Sequence, residues 1–372
     1  MRGMAISRRR PGRRQRELSG YLLISPALLF LIVFVLIPAL WIFWLSFQRW
    51  DLISGASDYI GTANYERLLL RDDVFRKSVW QTVYFVVGTV PTSMALGLFL
   101  AVVLNRAMPL RDLLRTLIFT PYVMPIVSTA LIFSFIYHPD VGVLNAVLNA
   151  FGLPKINWLN SPRAVMPAII IYSVWQHTGY NTVIYLAGLA NLGPELDEAA
   201  RVDGARAWTR FWHITWPLLS PTTYFVLLVN MIASFKVVQP ILIFAGGVSG
   251  AVSGGGGPDK AAETIGYYLY VQAFSFFHAG YAAAISVVLF LIILAITGLQ
   301  VGVISRRVFY SRWELCSRCS SSLPSSIPSA TSRTTCRRSA SYPIPPPASS
   351  CRSRGRATSS TRSSSPPPPR RW

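Results

Sequence analysis

Six long apolar stretches run through this chain of 372 residues, and each has the length of a membrane-spanning helix. A helix needs about 20 mainly apolar residues to cross the hydrocarbon core of a bilayer. Hydrophobic residues make up 52% of the chain and charged residues only 13%, a composition typical of membrane proteins. We therefore predict an all-α fold, a polytopic bundle of six transmembrane helices. The predicted spans are residues 20–46, 77–104, 113–137, 165–190, 218–245 and 279–304.

Basic residues are distributed unevenly between the segments that join these spans. If the N-terminus is cytoplasmic, the segments on that side carry 16 Lys and Arg residues, and the segments on the opposite side carry 8. Because Lys and Arg concentrate on the cytoplasmic side of membrane proteins, the count predicts that both termini are cytoplasmic. The net charge of +20 then reflects how the spans are oriented in the membrane. For this reason no nucleic-acid partner is expected. The cytoplasmic segments are residues 1–17, 105–115, 191–217 and 305–313.

Both ends of the chain differ from the apolar domain at residues 20–310. Residues 1–19 are basic and resemble the start of a signal peptide. The apolar run after them is too long for one and has no cleavage site, so we predict an uncleaved first span. Residues 311–372 are rich in Ser, Pro and Arg and are predicted to be disordered. We hypothesise that this tail is an out-of-frame extension; the alternative is a genuine basic tail that contacts anionic lipid.

Several polar side chains fall inside predicted spans and are candidates for lining a translocation pathway. A bilayer tolerates such groups poorly unless they face protein or a water-filled cavity. His177 and Asn181 lie in the middle of the fourth span, and Lys236 and Gln239 lie in the fifth. The alternatives are that His177 packs inside the protein and that Lys236 pairs or extends to the interface. Pro240 predicts a helix irregularity beside Gln239 that could shape a cavity.

The loop at residues 191–217 is the long polar interval that also has the pattern of a folded segment. Pro194 suits the first position of a helix, and the acids that follow it suit the positive end of the helix dipole. Gly204 comes just after this run, where Gly commonly ends a helix. A second short helix is predicted from Ala205 to Trp212. On pattern alone, the loop is either a simple connector or a helix that a partner contacts.

The loop contains Glu198-Ala199-Ala200, then Gly204 six residues after Glu198, Ile214 ten residues further on, and Pro217. This pattern resembles the EAA loop in permease subunits of ATP-binding cassette importers. This chain has Trp216 where the pattern usually has Leu, and the exchange keeps the position apolar. The resemblance implies that the loop is a coupling helix, docked in a cleft of an ATPase subunit. It also extends over most of the chain, from about Tyr21 to Arg307. The coupling residues that it implies are Glu198, Ala199, Ala200, Asp203, Gly204, Ile214 and Pro217.

The branch of the family that the chain most resembles imports oligosaccharides and glycerol phosphates. The resemblance implies that this chain forms half of a pathway in the inner membrane of a bacterial-type cell. The other half would come from a second permease subunit. Separate ATP-binding cassette subunits would supply the energy, and an extracytoplasmic binding protein would deliver the solute. Membrane lipid surrounds such a bundle.

Other classes of function have weaker support in the sequence. A self-sufficient channel or secondary transporter remains the alternative, but it would predict inverted repeats and more charges inside the membrane. The chain has no G-x-x-x-x-G-K-[ST] phosphate loop, so ATP hydrolysis is expected on a partner subunit and no enzymatic activity is expected here. No metal-ligand cluster is recognisable in the membrane part, and no cofactor is predicted.

Overall fold

The computed structural model describes residues 13–51, 53, 55, 57–106, 108–246 and 256–304. The predicted disordered tail, most of the basic N-terminal segment and most of the Gly-rich stretch after residue 246 lie outside the described residues. Within the described part, the fold is a helical bundle with one two-stranded antiparallel sheet, in which Gln48–Trp50 (β1) pairs with Ser57–Tyr59 (β2).

Thirteen helices, numbered here in chain order, and one short 3-10 turn at Pro258–Lys260 make up the described part of the bundle. The first six are α1 (Arg13–Leu31, Ile32–Leu36 and Ile37–Leu45 in one run), α2 (Ala63–Glu66 and Arg67–Arg71), α3 (Asp73–Leu104), α4 (Arg111–Val123), α5 (Ile126–Ile136) and α6 (Val143–Ala150). The other seven are α7 (Val165–Ala190), α8 (Pro194–Val202), α9 (Ala207–Arg210, Phe211–Thr215 and Trp216–Leu218), α10 (Ser220–Phe235), α11 (Gln239–Gly246), α12 (Ile265–Tyr270 and Val271–Ser275) and α13 (Ala279–Ile304).

Three of the described helices, α1, α3 and α13, are long and apolar enough to cross a membrane. The count rises to five if the bent pairs α4 with α5 and α9 with α10 each form one span. Helix α7 is also 26 residues long, but it is not among these helices because its middle is polar. The arrangement agrees with a polytopic helical bundle, and the number of six spans stays a prediction.

The third predicted span, residues 113–137, is not one straight helix. Helices α4 and α5 meet at an angle of 97°. Met124 and Pro125 leave the helical region between them, with ψ angles of 145° and 128°. A residue that precedes Pro is pushed out of the helical region, and Pro itself cannot donate the backbone hydrogen bond that would continue α4. Apolar periodicity alone does not reveal such a bend.

The fifth predicted span, residues 218–245, is also interrupted. Helix α10 ends at Phe235, and α11 begins only at Gln239. Lys236, which the sequence placed in mid-span, caps the end of α10 with φ −96° and ψ 15°. Pro240 explains the break, because it has no N–H to donate to the carbonyl of Lys236 four residues earlier. The predicted irregularity near Gln239 is therefore present, and it begins three residues earlier.

Helix α7 forms the centre of the bundle. Its largest interface is with α3, and it also packs against α4, α10 and α11. Gly97 lets α3 approach closely, because a Cβ atom there would lie 2.6 Å from the Cβ of Asn181. Small residues allow this kind of close helix packing in membranes. Tyr172, Ala168 and Ile169 of α7 are fully buried in the main apolar core.

The Asp72 end of α3 is held by a network of hydrogen bonds. One carboxylate oxygen of Asp72 accepts the Phe75 N–H and caps α3, at 3.0 Å. The other accepts the hydroxyl groups of Tyr268 on α12, at 2.5 Å, and of Tyr281 on α13. Burial alone would raise the pKa of Asp72, but the hydrogen bonds from Tyr268 and Tyr281 outweigh it and hold that pKa below its ordinary value. Asp72 thus joins three helices at one end of the bundle.

Candidate coupling loop and pathway residues

Helix α8 begins and ends as its sequence predicts. Pro194 stands at the first turn, where its missing N–H has no partner to lose. At the other end, the Gly204 N–H donates to the Arg201 carbonyl and the Ala205 N–H donates to the Ala200 carbonyl, both at 3.0 Å. These two bonds form a Schellman motif, which requires a left-handed residue after the helix. Gly204 supplies it with φ +77°.

One face of α8 is open to a partner. Glu198 and Ala199 are exposed, as is Asp203 at the end of the helix. Val202 is 89% exposed, although it is apolar. Ala200 is buried on the opposite face, and Ile214 and Pro217 are half-buried. The structure therefore separates the seven predicted coupling residues into an exposed set and a set that packs within the loop.

Asp197 joins the two helices of the loop, a contact that the sequence analysis did not identify. Its carboxylate accepts from Arg201 on the same helix, with a closest approach of 2.8 Å, and lies 3.4 Å from Arg210 Nε on α9. The Arg201 side chain is 63% exposed, whereas the Arg210 side chain is only 17% exposed. The spacing of four residues between Asp197 and Arg201 was a visible signal. The contact with Arg210 depends on how α9 folds back.

Helix α9 presents a row of aromatic rings. Trp208 contacts Trp212 with ring centres 5.7 Å apart, and Trp212 contacts Trp216 at 5.8 Å. Phe211 lies within 6.5 Å of both Trp208 and Trp216. Trp208 is 72% exposed, and Trp216 is half-buried where α9 meets α10. Such amphipathic rings are typical of a membrane–water interface.

Lys236 and Gln239 flank the break between α10 and α11, and both are exposed. The break is braced from the next segment of the chain, since the Thr264 hydroxyl donates to the Val237 carbonyl at 3.2 Å. Thr264 also caps α12 by accepting the Tyr267 N–H. The Lys236 cation and the Gln239 amide are therefore both exposed at the α10–α11 break, where the backbone is not helical.

The two predicted pathway residues of α7, Asn181 and His177, have different surroundings. Asn181 is fully buried, and its Oδ1 accepts Asn230 Nδ2 of α10 at 2.8 Å. In this conformation it therefore lies between helices and has no exposed surface. His177 is half-buried; its Nδ1 lies 2.8 Å from the Ser173 carbonyl, and its ring lies 6.4 Å from that of Tyr122. Tyr122 stacks on Tyr180 at 4.6 Å and is 40% exposed.

Glu263 is a buried acid that the sequence analysis did not single out. It is 2% exposed, and its Oε2 has no hydrogen-bond partner. Lys260 Nζ lies 3.9 Å away. Asp72, the cap of α3, and Lys77 on α3 also act on the charge of Glu263. Burial raises the pKa of Glu263 to about 7, partly offset by Lys260. Glu263 directly precedes Thr264, whose hydroxyl donates to the Val237 carbonyl in the α10–α11 break.

Comparison with known proteins agrees with this architecture. Residues 93–310 match the family described as binding-protein-dependent transport system inner membrane component. The chain is 33% identical over 290 residues to the sn-glycerol-3-phosphate transport system permease protein UgpA of Agrobacterium fabrum, covering 78% of this chain and 96% of that protein. It is 32% identical to the trehalose/maltose transport system permease protein MalF of Thermococcus litoralis, covering 75% and 90%.

A solved structure shares the fold. In the crystal structure of a bacterial ABC transporter involved in the import of the acidic polysaccharide alginate, one chain matches with a TM-score of 0.68 and 21% identity. The match covers 78% of this chain and 96% of that chain. The family match extends over more than half of the sequence, and the relatives are covered almost from end to end. The chain therefore belongs to the family of inner membrane components of binding-protein-dependent transport systems, the permeases of ATP-binding cassette transporters.

Proposed function

We propose that the chain forms half of the translocation pathway for a carbohydrate and that α8 couples this pathway to a separate ATPase. The observation that carries the coupling role is the exposed face of α8. Val202, which is 89% exposed, and the small, exposed Ala199 lie three residues apart on this face, so a protein cleft that docks on α8 would cover both. Glu198 adds a charge to the same helix.

The proposed topology has six spans, with both termini in the cytoplasm. It counts α1, α3 and α13 as complete spans, the bent pair α4 with α5 as one interrupted span, α10 with α11 as another, and α7 as the sixth. Helix α7 can cross the membrane despite its polar residues, because Gln176 and Asn181 are buried against protein and do not face lipid. The excess of Lys and Arg over all the predicted cytoplasmic segments, 16 against 8, supports a cytoplasmic position for the loop. Residues 20–310 are the proposed permease domain.

The proposed pathway passes the α10–α11 break. Lys236 and Gln239 are exposed there, and irregular backbone at membrane depth is tolerated where it lines a cavity. His177, with Tyr122 and Tyr180 beside it, is a second candidate surface, since aromatic rings offer apolar faces to a sugar. Asn181 belongs to the helix interface in this conformation. It would reach the pathway only if α7 and α10 separate.

The relatives support a hydroxyl-rich solute. Those named for their solutes transport sn-glycerol-3-phosphate, sulfoquinovosyl glycerol, or trehalose and maltose. We propose the oligosaccharide and glycerol phosphate class for this chain. A solved alginate transporter that shares the fold was crystallised with a sugar-bound periplasmic protein. The proposed partners here are a second permease subunit, ATPase subunits and an extracytoplasmic solute-binding protein, and ATP hydrolysis is assigned to the ATPase subunits.

Gly204 offers a direct test of the coupling role. A Cβ atom at Gly204 would have no neighbour within 4 Å, so a substitution affects the backbone angle rather than the packing. Gly204→Val places a β-branched residue at φ +77°, which costs roughly 1–2 kcal/mol. We expect this change to displace the end of α8, so that ATPase retention or coupled uptake falls. The measurements are co-purification of the ATPase and solute uptake by the reconstituted importer.

Gly204→Asn is the matched control, since Asn tolerates the left-handed region far better than Val. It should retain most of the uptake. Normal ATPase retention and uptake in both Gly204→Val and Glu198→Lys would reject the coupling role and leave the loop as a connector.

A further inference from the structure

An apolar groove of about 780 Å³ runs along the outside of helix α3. One wall is α3 itself, from Pro91 to Val103. The other wall is built by aromatic residues of α9, including Phe211 and Trp216, and by Leu227 of α10. Almost all of the lining side chains are apolar, so the groove is suited to a hydrocarbon ligand.

Arg106 is the one charged residue that lines this groove in the described part of the chain. It follows the end of α3 at Leu104 and is exposed. The positive charge of Arg106 therefore lies at one end of the otherwise apolar groove, beyond the last turn of α3. A ligand that matches both features has an apolar tail and an anionic head.

The length of the groove identifies the kind of ligand. Helix α3 rises about 1.5 Å per residue, so the wall from Pro91 to Val103 is about 18 Å long. The hydrocarbon core of one leaflet is about 15 Å thick, half of the bilayer value. A transmembrane helix of a partner would follow α3 through both leaflets, over about 30 Å. The groove covers only the half of α3 that leads to Arg106, which is the reach of one acyl chain.

We propose that this groove binds an anionic phospholipid from the leaflet on the side of the coupling loop. Its acyl chain lies between α3 and α9, and its phosphate pairs with the guanidinium group of Arg106. Basic pockets between helices on the cytoplasmic side of membranes suit such head groups. Because α9 is tied to α8 through Asp197, a bound lipid also braces α8. This last step rests on the proposed coupling role, whereas lipid binding does not.

Photocrosslinking in nanodiscs tests the site. The complete importer is reconstituted in phosphatidylcholine with a small fraction of phosphatidylglycerol that carries a diazirine on its acyl chain. A parallel sample contains phosphatidylcholine with the same label. After irradiation, adducts are mapped by mass spectrometry. We expect them on peptides covering residues 91–106 and 207–216.

Arg106→Gln should lower the capture of phosphatidylglycerol about fivefold, the factor that one basic residue provides near an anionic surface. Capture of phosphatidylcholine should not change in this variant. Val102→Trp fills the groove and should lower the capture of both lipids. The matched controls are Arg111→Gln and Leu113→Trp, at exposed positions of α4 outside the groove, which should leave capture as it is.

Two results would overturn the proposal. One is equal capture of phosphatidylglycerol by Arg106→Gln and by the unchanged protein. The other is a protein crosslink showing that a partner's helix fills the groove in the complex. Assembly of each variant is checked by size-exclusion chromatography. Arg106→Gln changes an exposed residue and should leave the fold intact. The proposal can therefore be tested even if Val102→Trp does not fold. Lipid capture is measured without uptake, which separates this proposal from the proposed function.

Discussion

Lys236 is exposed at the end of helix α10, where the chain leaves helical geometry. A lysine inside a helix has only hydrogen-bonded backbone groups around it. Lys236 instead lies beside the backbone groups of the α10–α11 break, which are not part of a helix. A hydroxyl-rich or phosphorylated solute would find a cation and the Gln239 amide within a few residues of each other. The residue is therefore the sharpest test of the proposed pathway.

We expect Lys236→Met to lower solute uptake by about tenfold or more, since a hydrogen bond to a charged group contributes roughly 1.5–3 kcal/mol. Lys236→Arg keeps the charge and should retain more activity. Both variants are compared by uptake and by co-purification of the ATPase. Unchanged uptake together with higher expression of Lys236→Met would show that the residue has no role in the pathway.

Glu263 predicts a dependence of stability on pH. Its pKa rises from an ordinary 4.5 to about 7 in the folded protein. Between these values the folded state holds a proton that the unfolded state releases. Stability therefore falls as pH rises from about 4.5 to 7 and levels off above, by up to about 3 kcal/mol. Burial is the main cause of this raised pKa; Asp72 adds to the rise, and Lys260 and Lys77 offset part of it.

Glu263→Gln removes this dependence, because Gln stays neutral. We expect the melting temperature of the variant to match that of the unchanged protein near pH 5 and to exceed it near pH 8. Thermal unfolding of purified protein across this range is the measurement. Two curves that stay parallel from pH 5 to pH 8 would contradict the assignment.

At the scale of elements, helix α8 depends on its contact with α9. The exposed pair of Asp197 with Arg201 adds little, as surface ion pairs usually do. The Arg210 side chain is only 17% exposed, and its Nε, 3.4 Å from Asp197, is buried without a hydrogen-bond partner. Loss of that charge would leave Asp197 without the contact that spans the two helices.

The two arginines form a matched pair of variants. We expect Arg210→Gln to speed amide hydrogen exchange in Pro194–Val202 about tenfold, which corresponds to about 1.4 kcal/mol. Arg201→Gln should change the exchange rate only slightly. Hydrogen exchange followed by mass spectrometry of α8 peptides measures both effects. Equal rates in the two variants would show that the contact with α9 does not hold α8 in place.

For the whole molecule, the arrangement of helices predicts a topology that reporters can check. A reporter after Arg307 should be cytoplasmic, and one near Ser57 should lie outside. Two more positions test the interrupted elements: Pro139, after the bent pair α4 and α5, should be external, and Asn191, after α7, should be cytoplasmic. The distribution of basic residues is the physical reason. Reporters at Ser57 and Arg307 on the same side would overturn the six-span topology.

Local chemistry explains most of what could be predicted without a structure. Apolar stretches of membrane length predicted where the long helices lie, since a bilayer demands them whatever the packing. The cap at Gly204 was predictable because a Schellman motif depends on a few adjacent residues. The family resemblance was carried by the same loop and extended over most of the chain, and the comparisons confirm the family. None of these features requires knowledge of distant contacts.

Tertiary packing decided the rest. The sequence contains Asp197, Arg210 and Glu263, but only the folded chain shows that the first two meet across a turn and that the third is buried. Asn181 was a candidate for the pathway because a polar residue in a span must face something. The structure shows that Asn181 accepts a hydrogen bond from Asn230. This contact depends on how α7 and α10 pack. Burial and pairing are properties of two elements at once, so no single stretch of sequence determines them.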